Sequence, residues 1–252
     1  AVRFDIQWQP ELIAELSNQI QQLFVSDDDR RRIAYYHTQI SNTVATIPTG
    51  ISAVPLHALL IPLFSAVREE SVVSRNPVAE NRAAFQALSI YLNGEDIASS
   101  TGIKNAQEQA NPRPVEVRLQ QREDLAQHVA SIAAISSSAG AELAQLLSTT
   151  KEAYDARYRT GFSFSDLTAN SVGVALAEFA TRNDASALEF QRRVITLSDD
   201  SEYMPAVGNN RDGITEEAFS DRYRDRSSVE FAQRLREIQT MIAERPFFAN
   251  QQ

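Results

Sequence analysis

The chain has 252 residues, a hydrophobic fraction of 43%, and only 8 Gly and 9 Pro, a composition that excludes a disordered chain. Its formal net charge is −9 and its isoelectric point is about 4.9. Nucleic acid and anionic lipid are therefore repelled at long range and are not expected partners. Because there is no Cys, thiol catalysis, disulfides and cysteine-ligated metals are also excluded.

The first half of the chain has helical hydrophobic spacing with clear breaks. Pro10 and a 3.6-residue apolar stripe predict a helix over residues 10–25. The block SDDDRRR places acids before bases, which is typical of a helix N-terminus capped by Ser26 or Asp27. A helix is accordingly predicted over residues 30–46, followed by a break at Pro48 to Pro55.

The next predicted helices differ in regularity. Leu56 to Val67 is apolar but contains Pro62, which predicts a kinked or interrupted core helix. Val78 to Leu92 predicts a regular helix that ends at Asn93-Gly94. Residues 99–114 are polar and contain two prolines, which indicates a long surface loop or a joint between sub-domains.

The second half of the chain is predicted to be helical as well. Its predicted elements are a helical region over 120–159 with a break near Ser138 to Gly140, helices over 163–182 and 184–197, an irregular connection over 199–213, and two final helices opened by Thr215 and by Ser227 or Ser228. No stretch alternates long enough to predict a strand, and no apolar run is long enough to span a membrane. The predicted fold is an all-α single compact domain over 1–252, with about eight to ten helices and long irregular loops.

Polar residues occur at intervals within the apolar helices between His128 and Gly173, and they form the candidate site. Asp166, Asn170 and Gly173 are spaced i, i+4 and i+7, so they share one helix face, and Gly173 allows another backbone to approach that face. The small-residue helix around His128 is the expected neighbour. The candidate cluster comprises His128, Lys151, Glu152, Asp155, Ser163, Asp166, Asn170 and Gly173.

Three interpretations of this cluster remain open. It is a buried polar network that fixes helix orientation, a metal or catalytic site that uses His128 with the acids, or surface capping in which Ser163 and Asp166 form a capping box. No cofactor is predicted, and no metal site is assigned. Phosphate-binding, dinucleotide-binding, zinc-protease and serine-hydrolase motifs are absent from the sequence. A calcium loop at Asn209 to Gly213 is rejected because Phe219 occupies the position of the bidentate Glu.

The order of these residues resembles a known family. A His-bearing helix, the K-E-x-x-D segment at Lys151 to Asp155 and the G-F-S-x-x-D-L pattern from Gly161 to Leu167 resemble the small YfiM-like bacterial envelope lipoproteins over about residues 124–178. Asn170 stands where that family has a second Asp, which weakens a metal-site inference. The remaining chain, with its P-V-A-E-N-R segment at Pro77 to Arg82, is similar to uncharacterised exported proteobacterial proteins. The resemblance implies a location in the cell envelope and no established activity.

The sequence therefore favours an exported periplasmic or cell-envelope protein that acts by interaction, rather than an enzyme. Its start at Ala1 without Met is compatible with a removed leader or with trimming. The expected partner is a protein or envelope component, met through the loops 99–114 and 199–213. The alternatives are a metal-dependent hydrolase that uses His128, Glu152, Asp155 and Asp166, and a small-ligand binder with a pocket between helices.

Overall fold

The computed structural model describes residues 26–101, 115–139, 161–208, 210 and 212–249. Helices dominate these segments, which confirms the all-α prediction. In chain order they are α1 (Asp27–Thr46), α2 (His57–Ser74), α3 (Pro77–Leu92), α4 (Ile97–Thr101), α5 (Glu123–Ala139), α6 (Phe164–Thr181), α7 (Asp184–Val194), α8 (Glu216–Tyr223) and α9 (Val229–Ala243). Short 3-10 turns follow at Asp200–Glu202 and Pro246–Phe248.

Some predicted elements lie wholly or partly outside the described residues. The helix predicted over 10–25 is one of them. Most of the predicted loop 99–114 also lies outside them, and α4 occupies the start of that loop. The helical region predicted over 120–159 is described only as far as residue 139. Among the described residues, no helix has the length and apolar character needed to cross a membrane.

The helix starts follow the capping residues in the sequence. Ser26 opens α1 with a capping box, in which its hydroxyl accepts from the Asp29 N–H at 3.1 Å and its own N–H donates to the Asp29 carboxylate at 3.2 Å. Thr215 caps α8 as predicted, and Ser228, not Ser227, caps α9. These caps satisfy backbone donors that have no partner within the helix.

The second helix is longer than the sequence suggested. We predicted a kinked or interrupted helix over 56–67. Helix α2 is uninterrupted at Pro62 and continues to Ser74, and its C-cap residue, Arg75, has a left-handed φ of 55°. A proline inside a helix costs about 3 kcal/mol. Burial of Leu59 and Leu63 offsets this cost, since each buried leucine contributes about 1.5–3 kcal/mol.

The structure also contains two short strands that the sequence did not reveal. β1 (Ala53–Pro55) pairs in parallel with β2 (Glu116–Arg118), with Val54 opposite Val117. Three residues are too few to show alternation, so the sequence pattern does not predict these strands, whose pairing depends on tertiary context. The pair brings Arg118 to the start of α2, where its carbonyl accepts a hydrogen bond from the Leu56 N–H at 3.0 Å.

The middle helix, α3, is buried around most of its circumference. Its polar residues therefore need partners inside the protein. Glu80 is 3% exposed; its carboxylate accepts from the Arg32 guanidinium at 3.0 Å and from the Tyr36 hydroxyl at 2.6 Å, both on α1. Burial, together with the bond to Glu80, raises the pKa of Tyr36 far above its ordinary value. The two hydrogen bonds to Glu80 fix the position of α1 against α3.

The next two polar residues connect α3 to other helices. Asn81, with no exposed surface, donates to the Ala180 carbonyl at 2.7 Å and accepts from the Gln191 amide at 2.9 Å, which joins α3 to the end of α6 and to α7. Arg82 donates to the Ser137 carbonyl on α5 at 3.0 Å. The P-V-A-E-N-R segment therefore connects α3 to four neighbouring helices.

We expect Asn81→Ala to lower the free energy of unfolding by about 2–3 kcal/mol, because it leaves the Gln191 amide and the Ala180 carbonyl buried without their partner. Urea denaturation followed by circular dichroism measures the change. Gln239→Ala, on the exposed side of α9, is the matched control and should stay within about 0.5 kcal/mol of the wild type. Equal effects of the two substitutions would contradict the structural role of Asn81.

Candidate functional site

The structure brings together the part of the predicted cluster that it describes. His128 lies on α5 and faces Asp166 and Asn170 on α6; Ser163 is the residue that caps α6. Lys151, Glu152 and Asp155 lie outside the described residues. The predicted association of His128 with Asp166 and Asn170 is therefore observed, and its extension to the K-E-x-x-D segment stays a prediction.

Helices α5 and α6 approach each other closely at Gly173. A Cβ atom added to Gly173 would lie 2.7 Å from the Val129 carbonyl oxygen and 3.1 Å from the Ala133 nitrogen, both on the α5 backbone. Only a glycine fits this contact without moving a helix. This is the close approach that the spacing of Gly173 predicted, and it sets the distance across which the polar side chains meet.

The His128 ring forms two contacts with α6. Nδ1 lies 2.9 Å from the Asn170 Oδ1, and Nε2 lies 3.5 Å from the Asp166 carboxylate. The Asn170 Nδ2 is buried and has no hydrogen-bond partner in this orientation. If the amide is turned over, Nδ2 donates to the His128 Nδ1 and leaves the Nε2–H of a neutral ring toward Asp166. In that arrangement the His128 Nδ1 accepts a hydrogen bond from the amide.

A residue that sequence reasoning missed, Arg122, occupies the centre of the site. Its Nη2 lies 2.5 Å from Asp124 and 3.0 Å from Asp166, and its Nη1 lies 2.7 Å from Asp212. The Arg122 side chain is 35% exposed, so these ion pairs are only partly shielded from water. We define the polar seam as Arg122, Asp124, His128, Asp166, Asn170 and Asp212.

Asp212, the second missed residue, joins the seam from the connection before α8. Its Oδ1 accepts from the Ser163 hydroxyl at 2.9 Å and from the Ser165 backbone N–H at 3.0 Å. It lies within the Asn209 to Gly213 segment that resembled a calcium loop. Its carboxylate binds the start of α6 and the Arg122 guanidinium.

The backbone next to Asp212 is held against the start of α6. Phe162 donates to the Ile214 carbonyl at 2.7 Å, and Ile214 donates back to the Phe162 carbonyl at 3.0 Å. Gly161 precedes this bridge with a φ of +85°, and a Cβ there would lie 2.4 Å from the carbonyl carbon of Gly213. The contact requires glycine and fixes Asp212 beneath Ser163.

Ser163 has the capping role that its spacing suggested, whereas Asp166 does not complete the capping box. Its hydroxyl accepts from the Asp166 N–H at 3.0 Å, so it does cap α6. The Asp166 carboxylate, however, pairs with Arg122. The predicted reciprocal capping box is therefore only half formed, because a guanidinium competes for the carboxylate.

The electrostatics of the seam favour ionised carboxylates. The Arg122 hydrogen bond is the largest influence on Asp124 and lowers the pKa of that carboxyl. Burial would raise the pKa of Asp212, but hydrogen bonds from Ser165, Arg122 and Ser163 outweigh it and lower the pKa. The bond to Asp124 likewise raises the pKa of Arg122, against the effect of burial. The seam thus has one cation for three carboxylates.

Metal binding was one of the open interpretations of this cluster. Within the described ranges, no three His, Cys, Asp or Glu side chains converge closely enough to hold a metal ion. The acids around Arg122 are spread about a guanidinium, which replaces an ion as their counter-charge. Glu152 and Asp155 are outside these ranges, so the metal-dependent alternative stays untested.

Comparisons with known proteins provide no further assignment. The chain matches no protein-family model, and no curated protein or solved structure matches it significantly.

We expect Arg122→Gln to lower the free energy of unfolding by about 1–2 kcal/mol. This is less than the ~3–5 kcal/mol for breaking a fully buried pair, because the side chain is partly exposed. Chemical denaturation measures the change. Arg118→Gln, which breaks the exposed pair with Glu116, is the control and should leave the midpoint unchanged. A midpoint equally insensitive to both substitutions would show that the seam adds no stability.

The lowered pKa of Asp212 predicts an acid dependence. A carboxyl whose folded pKa is below its unfolded value of about 3.9 stabilises the protein above that value, and loses the stabilisation as the pH falls through the folded pKa. The stability gap between the wild type and Asp212→Asn should therefore be constant from about pH 7 to pH 5 and shrink below about pH 4. Urea titrations across this range measure it; a gap that widens in acid would contradict the assigned sign.

Proposed function

We propose that this chain is a non-enzymatic binding protein of the bacterial envelope that recognises an acidic segment of a partner protein. The observation on which the proposal rests is a cleft beside the polar seam that contains an arginine with no carboxylate partner among the described residues. The charged groups of the seam, in contrast, already pair with one another. The seam is better suited to holding the cleft in place than to performing chemistry.

The cleft lies between the start of α6, the connection before α8, and the helices α8 and α9. Its volume is about 850 Å³, within the range of about 300–1,000 Å³ that is usual for ligand-binding sites. Phe164 and Tyr223 provide apolar and aromatic surface, and Asp212 connects the cleft to the seam. Aromatic and arginine side chains are the residues enriched at protein interfaces.

Two arginines are among the described residues that line the cleft, and their surroundings differ. Arg234 stacks over Phe164 at 5.4 Å from the ring centroid, donates to the Asn210 side chain at 2.8 Å and pairs with Glu237 at 3.0 Å. Arg222 lies 5.4 Å from the Tyr223 ring centroid and forms no ion pair with a described residue. Arg222 is exposed, so its guanidinium is available to a carboxylate.

Aromatic packing holds these arginines in place. The rings of five residues form edge-to-face or tilted pairs between the start of α6 and the two C-terminal helices: Phe162, Phe164, Phe219, Tyr223 and Phe231. Arg226 stacks on Phe219 at 4.6 Å on the same cluster. A rigid aromatic base reduces the conformational entropy that an arginine loses on binding.

The net charge of −9 does not prevent recognition of an acidic partner. At physiological ionic strength, charges are screened over about 8 Å, so local groups dominate at contact. The cleft presents Arg222 locally, while Asp212 and Glu237 are already paired with other arginines. The overall negative charge then disfavours non-specific acidic partners, which gives selectivity.

The proposed envelope location is supported by the resemblance of residues 124–178 to the YfiM-like lipoproteins. The proposed binding role agrees with the expected contact loop 199–213, since Asn210, Asp212 and Gly213 line the cleft. The metal-dependent alternative depends on Glu152 and Asp155, and also requires His128 and Asp166, which already contact Asn170 and Arg122.

Calorimetric titration of the protein with a soluble peptide rich in Glu and Tyr tests the proposal, with the same peptide carrying Gln for Glu as the ligand control. We expect the acidic peptide alone to bind, and Arg222→Glu to weaken binding at least about tenfold because it replaces attraction by repulsion. The matched variant is Arg236→Glu, an exposed arginine of α9 outside the cleft, which should bind as the wild type does.

Three results would overturn the proposal. One is equal binding of the acidic peptide and its Gln version, because recognition would then not depend on charge. The other is an equal loss of affinity in Arg222→Glu and Arg236→Glu, because the effect would then reflect net charge and not the cleft. Absence of binding by the wild type at low salt likewise rejects the proposal.

A further inference from the structure

The single Asn-Gly pair of the sequence, Asn93-Gly94, lies at the C-terminal end of α3. Gly94 has a left-handed φ of +65°, and its N–H donates to the Tyr91 carbonyl at 3.1 Å. The next N–H, that of Glu95, donates to the Ile90 carbonyl at 3.0 Å. This is the Schellman arrangement, in which a left-handed residue ends a helix and the following N–H groups satisfy its last carbonyls. The pair therefore ends the helix as its sequence predicted.

The side-chain amide of Asn93 connects the end of α3 to α5. Its Nδ2 donates to the Ser89 carbonyl at 2.8 Å and to the Ser131 hydroxyl on α5 at 2.9 Å, and it lies 3.3 Å from the Ser89 hydroxyl. Asn93 is exposed, so water competes for these bonds. Exposed hydrogen bonds open more readily than the buried packing of two helices, and this contact can therefore open while the core stays folded.

Water reaches the pair from a cavity as well as from the outer surface. The cavity at His37, about 410 Å³ in volume, has lining from His37 on α1, from Asn93 and Gly94 at the end of α3, and from Gln127 on α5. A Cβ atom added to Gly94 would meet no atom within 4 Å, so the backbone of the pair is unhindered. Both groups that react in deamidation are consequently open to solvent.

The chemistry of such a pair is intramolecular. Hydroxide removes the Gly94 N–H proton, and the nitrogen, unhindered by a side chain, forms a bond to the Asn93 Cγ. The Cγ–Nδ2 bond then breaks, and ammonia leaves after taking a proton from water, which regenerates hydroxide. A second water opens the cyclic succinimide at one of its two carbonyls and gives aspartate or isoaspartate at position 93. The net change consumes one water and releases one ammonia, with no oxidation or reduction.

In the folded protein both reacting groups are held by hydrogen bonds. The Gly94 N–H is donated to the Tyr91 carbonyl, and the Asn93 amide is held by Ser89 and Ser131. The succinimide ring can close only after these bonds have opened. The rate in the native state therefore depends on how often the end of α3 separates from α5.

We propose that Asn93 is a site of spontaneous deamidation whose rate is set by the opening of its contact with Ser131. An aspartate carboxylate at this position cannot donate to the Ser131 hydroxyl or to the Ser89 carbonyl. Its charge also lies at the negative end of the α3 dipole, where an anion is destabilising. The modification thus weakens the contact between α3 and α5 irreversibly, and it involves no residue of the arginine cleft.

Peptide mapping by mass spectrometry after incubation in mildly alkaline buffer tests the proposal. We expect the peptide that contains Asn93 to gain the mass that accompanies exchange of NH2 for OH. Ser131→Ala should accelerate this gain about two- to tenfold, the factor that one hydrogen bond contributes to an opening equilibrium. Ser65→Ala is the matched control, because this half-buried hydroxyl of α2 bonds only to a carbonyl of its own helix, and it should react as the wild type does.

Unfolding in guanidinium chloride separates the effect of the fold from the intrinsic chemistry. The wild type and Ser131→Ala should then react at one common, faster rate, because the contact with α5 no longer exists. The proposal is overturned if Asn93 stays unmodified in the native protein, or if Ser131→Ala accelerates the reaction no more than Ser65→Ala does. A difference between Ser131→Ala and the wild type that persists after unfolding would overturn it too.

Discussion

The need to satisfy polar groups on a buried helix is the constraint on which the rest of the structure depends. Helix α3 lies in the middle of the described part of the protein, yet it contains Glu80, Asn81 and Arg82 in succession. Three consecutive residues on a helix point about 100° apart, so each reaches a different neighbour. Their hydrogen bonds specify which helix lies on which side, a specificity that apolar packing alone does not provide.

The polar seam performs a similar task at the next contact outward. Gly173 brings α5 and α6 together, and the seam side chains occupy the edge of that contact. Arg122 then joins these helices to the connection that precedes α8 through Asp212. The C-terminal helices, with their aromatic and arginine side chains, are thus positioned by a charged contact at one side and by aromatic packing at the other.

Local patterns in the sequence predicted most of the helices and several of their caps, because capping and 3.6-residue periodicity are properties of neighbouring residues. The close contact at Gly173 was predictable for the same reason, since Asp166, Asn170 and Gly173 lie on one helix face. Ser163 shows the limit of local reasoning. Its spacing to Asp166 indicated a capping box, but a residue distant in sequence, Arg122, takes the Asp166 carboxylate.

The features that the sequence did not reveal depend on such long-range contacts. β1 and β2 are each three residues long and exist only because they meet. Arg122 and Asp212 lie in polar turns with no distinctive sequence pattern, and only the fold brings them together. The cavity at His37 likewise has lining from three separate helices, so no local motif marks it.

The backbone bridge between Phe162 and Ile214 has a consequence for the order of assembly. It closes a segment of the chain that contains α6 and α7, so the entropy of loop closure must be overcome before its hydrogen bonds form. Contacts within α6 and α7 are more local and can form earlier. We therefore expect Asp212 to join Arg122 after α6 and α7 have packed together, and native-state hydrogen exchange at Phe162 and Ile214 to report the opening of this bridge separately from that of the helical core.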